Sequence, residues 1–126
     1  MLALLLVASA VPRDIRTFHA ERAGHRQAGQ WLAEHADQSS PVVDPFGWAE
    51  FYSGRTVRGW TTANPYRGPT VYAVVEPNAK SHHSRLPWLE PATRLMAQGE
   101  LVFQYPAGVP ADQIHVAVYK SPPLKP

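Results

Sequence analysis

Two short, largely apolar runs rich in β-branched residues each end in an acid followed by proline: Val42-Val43-Asp44-Pro45 and Thr70-Val71-Tyr72-Ala73-Val74-Val75-Glu76-Pro77. Such runs favour strands. Proline cannot extend a hydrogen-bonded ladder, so each strand has to stop at its acid. After the first stop, Trp48, Phe51 and Tyr52 fall at i, i+3 and i+4. That spacing predicts a short helix with an aromatic stripe turned to the core, Asp44 as its cap, Pro45 in its first turn and Gly54 as its left-handed exit. Strand, acidic cap and helix in that order open an α/β unit. The carboxylate then lies at the C-terminal end of the strand, where open α/β sheets bind ligands.

Three further segments carry a regular pattern. From about residue 23, Ala28, Trp31, Leu32 and His35 share one helical face. Gly24 and Gly29 weaken this helix by up to about 1 kcal/mol each relative to alanine, but Gly29, beside the apolar stripe, permits a close approach to the sheet. Trp88, Leu89, Ala92, Leu95 and Met96 mark a second amphipathic helix, with Pro87 or Pro91 in its first turn and Gly99 as its stop. Residues 101–105 and 114–119 read as two more strands joined by a short loop, which permits an antiparallel pair at the sheet edge. The stretch 55–69 shows no sustained period beyond a possible extended piece at 56–60, and a loop of that length is often functional.

These elements predict one small three-layer α/β domain of Rossmann-like kind. Its sheet would be mostly parallel, four- or five-stranded, with a C-terminal antiparallel edge strand. Which helices cover which sheet face is left open. The expected division is an apolar segment over 1–12, a polar linker over 13–22, the domain over 23–121 and a proline-rich, frayed tail over 122–126.

Residues 1–11 are apolar except for Ser9. About 20 apolar residues are needed to span a bilayer, so this run is either the end of a membrane helix, a signal-like remnant or a buried segment of the domain. The first two readings place the folded part beside or beyond a membrane. Arg13, Arg16, Arg22 and Arg26 follow, with His19 and His25 among them, suited either to lipid headgroups or to a solvated linker. A net charge of +2 without a basic cluster argues against nucleic acid as partner. The absence of cysteine excludes disulfides and thiol chemistry.

Convergence of the two strand ends would bring together Asp44 and Glu76, with Arg55 and the loop residues His82, His83 and Arg85 nearby. Arg and His beside two acids form a candidate phosphate- or ligand-binding group. The duller reading, Asp44 as a helix cap, is the stronger one. Adjacent histidines do not easily aim at one ion and no paired-histidine helix motif occurs, so no metal is expected. Nucleophile-elbow and glycine-rich phosphate motifs are also missing. The sequence therefore names no catalytic residue and no cofactor.

One resemblance adds a class. The run 25–35, ending Gln30-Trp31-Leu32-Ala33-Glu34-His35, followed by Val42-Val43-Asp44-Pro45-Phe46-Gly47-Trp48-Ala49-Glu50-Phe51-Tyr52-Ser53-Gly54-Arg55, resembles the soluble C-terminal region of bacterial multi-pass glycosyltransferases. These are membrane proteins of the dolichyl-phosphate-mannose protein-mannosyltransferase-like kind. The similarity continues through 70–75 and 101–106 and covers most of the chain after about residue 20. It implies a membrane-associated, extracytoplasmic accessory domain of, or derived from, a lipid-phosphosugar-dependent transferase, partnered by that enzyme's membrane domain. Family catalysis is expected in a loop between membrane helices, which no residue here matches. Two alternatives stand beside it: a small independent phosphate-ligand-binding protein or enzyme, and an interaction module working through the aromatics of 60–66.

Overall fold

The computed structural model describes residues 22–37, 39–54, 64–78 and 88–126. Helix α1 is described over 22–35. It is followed by β1 (Val42–Val43), α2 (Trp48–Tyr52), β2 (Val71–Val75), α3 (Leu89–Gln98), β3 (Glu100–Tyr105), a 3-10 turn (Ala111–Gln113) and β4 (Val116–Ser121). The strands form one four-stranded sheet in the order β1-β2-β4-β3. The possible extended piece at 56–60 lies outside the described residues.

The sheet is mixed, not mostly parallel. Among the described strands only β1 and β2 run parallel, with Val42 opposite Tyr72 and Val43 opposite Ala73. Strand β4 is antiparallel to both β2 and β3. It begins two residues later than the pattern predicts, and it lies inside the sheet instead of at the edge. Burial explains the placement. Val116, Ala117 and Val118 are all buried, so β4 needs cover on both faces and a neighbour on both sides. Strand β3 is exposed at Glu100 and Leu101 and only half-buried beyond; it can tolerate the edge. A register shift between Leu101 and Phe103 interrupts its ladder, and such irregularities discourage pairing with another chain.

Alternation along β2 divides the core in two. Val71, Ala73 and Val75 face α3, where they pack with Ala92, Leu95, Val43 and Ala117. Tyr72 and Val74 face the other way, toward Ala28 and Leu32 of α1 and Ala49 of α2. Strand β2 is buried at every residue, as a period of two with helices on both faces requires. Thus α1 and α2 cover one face and α3 covers the other.

Two local expectations are corrected. The aromatic stripe of α2 does not enter the core: Trp48 is 36% and Phe51 64% exposed, and Ala49 faces inward instead. The reason is the closeness of α1. A Cβ placed on Gly29 would lie 2.6 Å from the Ala49 carbonyl oxygen and 2.6 Å from the Tyr52 Cβ. At that separation only a small inward residue fits. The tail is not frayed either. Leu124 is 3% exposed within the α3-side cluster, and its N–H donates to the Pro65 carbonyl at 2.7 Å.

Candidate functional site

The parallel pairing of β1 and β2 brings Asp44 and Glu76 to the same end of the sheet, where one residue that sequence reasoning did not single out pairs with Glu76 and acts on Asp44 through its charge. His25, on α1, is 2% exposed. Its Nε2 lies 2.8 Å from Glu76 Oε1. An ionised carboxylate only accepts hydrogen bonds, so Nε2 carries the donated proton. The ring also packs against Phe46, with centroids 5.0 Å apart. Among the described residues, His25 Nδ1 has no hydrogen-bond partner.

Asp44 organises the corner between β1 and α2. Its Oδ1 accepts the Phe46 N–H at 3.0 Å, and its Oδ2 accepts the Glu50 N–H at 3.1 Å. The first contact closes a local turn; the second satisfies an N–H in the first turn of α2 that has no partner within the helix. Capping is thus exercised at a distance. Pro45 lies in the turn rather than in the helix, and Gly47, at φ 77°, is the residue at the cap position. Burial raises the Asp44 pKa above its ordinary value. The Glu50 N–H, the positive charge available on His25, and the N–H groups of Phe46 and Gly47 lower it, without cancelling the effect of burial.

Together these groups tie α1 and the β1–α2 corner to the C-terminal ends of two strands. Glu76 fixes the imidazole's orientation, as a carboxylate does beside a catalytic histidine. Here, however, the ring is enclosed by Phe46 and the helix, and solvent scarcely reaches it. The arrangement therefore works as a polar clamp. Gly24 lets α1 sit down on the neighbouring strands β3 and β4: an added Cβ would lie 2.7 Å from Val116 Cγ2 and 2.9 Å from Tyr105 Cδ1.

Of the predicted ligand-binding set, the structure brings Asp44 and Glu76 to one histidine, while Arg55, His82, His83 and Arg85 lie outside the described residues. The signal for His25 was present in the spacing. His25, Ala28 and Leu32 fall at i, i+3 and i+7, all on the buried stripe of α1. A charge-based reading groups His25 with the neighbouring arginines instead. His35, placed on the apolar face by spacing, is exposed and stacks on Trp31 with ring centroids 4.5 Å apart. Among the described residues, no group of three or more His, Cys, Asp or Glu is placed to hold a metal ion, and no helix is long and apolar enough to cross a membrane.

No family model, no curated protein and no solved structure matches the chain.

Proposed function

We propose that this chain is a non-catalytic, extracytoplasmic accessory domain of, or derived from, a lipid-phosphosugar-dependent membrane glycosyltransferase. On this reading a Rossmann-like β1–α2–β2 opening has been completed by a returning antiparallel strand. The observation that carries it is the use made of the two strand-end acids. Asp44 spends both oxygens on backbone N–H groups and Glu76 holds a buried histidine, so both stabilise the fold at the place where an α/β enzyme would present chemistry. The pattern of 25–55 supports the transferase class.

The test uses the full chain, tagged at its C-terminus and expressed in a bacterial host. The chain should remain with the membrane fraction, become digestible when protease is added to spheroplasts, and transfer no sugar from a polyprenyl-phosphate donor by itself. Recovery in the soluble cytosol overturns the location, and sugar transfer by the purified chain overturns the non-catalytic role.

A second reading, a small phosphate-ligand binder, is favoured by His25 Nδ1, a buried nitrogen with no hydrogen-bond partner among the described residues. It predicts that inorganic phosphate raises the melting temperature of the wild type and does so less in Glu76→Gln. An unchanged melting temperature removes it.

A further inference from the structure

Helix α2 turns its small residue inward and its large ones outward. Trp48 and Phe51 sit at i and i+3, adjacent on the outer side of the helix, and Phe51 touches the half-buried Tyr52 ring with centroids 5.4 Å apart. The Arg22 guanidinium lies over the Trp48 ring, 3.8 Å from its centroid. Arg26, one turn further along α1, is exposed. A scattered apolar residue on a surface needs no explanation. Neighbouring aromatics bordered by two arginines form a patch of defined chemistry.

We infer that this Arg22–Arg26–Trp48–Phe51 surface docks on an anionic lipid bilayer, with Trp48 at headgroup level and Phe51 reaching deepest. The inference rests on the membrane-associated reading above and names the face that meets the bilayer. Three observations carry it. First, the ring of tryptophan suits the headgroup region, and arginine pairs with anionic lipid phosphates while its stem stays on apolar surface. Second, the patch lies where the chain enters the described fold: Arg22 follows directly on residues 1–21, whose first eleven are apolar except Ser9 and whose remainder includes Arg13 and Arg16. The intervening residues 12–21 reach at most about 3.5 Å each, so an apolar segment held in a bilayer keeps α2 within about 35 Å of that bilayer. Third, a second copy is a poorer occupant. A twofold contact through this patch would gather four arginines, two from each protomer, in one interface.

The chain contains no cysteine, so single labels can be placed without removing any native residue. Phe51→Cys and, as a control on the opposite sheet face, Glu90→Cys are each labelled with nitrobenzoxadiazole in the full chain. Both are mixed with equimolar phosphatidylethanolamine–phosphatidylglycerol vesicles. The label at 51 should shift its emission to the blue and be quenched several-fold more by spin-labelled lipid than the label at 90. If the chain floats with the vesicles while the label at 51 stays as wet as the label at 90, the docking face is refuted and the membrane-associated reading stands. Failure to float removes both. A blue shift at 51 before vesicles are added, with a doubled mass by light scattering, assigns the face to a second copy and overturns the inference.

Discussion

Gly29→Ala has a predictable sign because two effects of known size oppose each other. In an open helix, replacing glycine with alanine stabilises by about 1 kcal/mol through backbone entropy and propensity. At position 29 the new methyl group would meet the Ala49 carbonyl oxygen and the Tyr52 Cβ at 2.6 Å each and the Ser53 nitrogen at 3.1 Å. Two of these three atoms are backbone and the third is a Cβ, so no rotamer change relieves the contact. Helices α1 and α2 must separate by several tenths of an ångström. That movement loosens Ala28 and Leu32, both fully buried against the sheet. Overpacking of this kind costs about 1–3 kcal/mol. Contacts this short with atoms that cannot rotate away belong to the upper half of that range, about 2–3 kcal/mol, so against a propensity gain of about 1 kcal/mol the net loss is about 1–2 kcal/mol. Urea unfolding followed by far-ultraviolet circular dichroism measures it as a lower midpoint at an unchanged slope. Gln30→Ala, at the exposed neighbouring position, should change stability by less than about 0.5 kcal/mol. If Gly29→Ala is as stable as the wild type or more so, the close approach of α1 to α2 is wrong, and with it the reason for turning Trp48 and Phe51 outward.

Three other outcomes follow from the clamp and the core. Asp44 binds its proton more readily folded than unfolded, because burial raises its pKa above 3.8; its contribution is therefore fully present below that value and is lost as pH rises through the raised folded pKa. Asp44→Asn should flatten that part of the stability–pH profile, and a profile identical to the wild type would refute the burial argument. Glu76→Gln keeps an oxygen for His25 Nε2 but loses the charge that strengthens the bond, with an expected loss of about 1 kcal/mol by urea unfolding; no change would mean that the pair contributes nothing. Leu124→Ala should cost about 2–5 kcal/mol, as for any leucine buried in a packed cluster, whereas a neutral result would restore the frayed tail.

Local chemistry made much of this fold readable. Valine-rich strands, proline stops and the 3.6-residue period place β1, β2, α1 and α3 within a residue or two, because those signals depend only on neighbours along the chain. A close approach at Gly29 was readable for the same reason, since it stands beside the apolar stripe, but its partner was not: the stripe implies the sheet, and the structure places α2 there. Sheet order was not. Whether β4 pairs at the edge or enters beside β2 depends on which strand, β3 or β4, can leave one side uncovered. That is a comparison between residues far apart in sequence. The outward turn of Trp48 and Phe51 was hidden likewise, since the i, i+3 spacing is the same whether the stripe faces the sheet or solvent. Helix α1 decided it by occupying the space.

The candidate site divides along the same line. Two acids at strand ends follow from the sequence alone, and parallel pairing of adjacent strands brings them to one edge. Their meeting at His25 is tertiary: the histidine comes from a helix 51 residues before Glu76. Only the close packing that Gly24 and Gly29 allow α1 against the sheet and α2 buries its ring beside the strand ends. The sequence determined which groups ionise and where strands end; the folded chain determined that those groups face each other and not water.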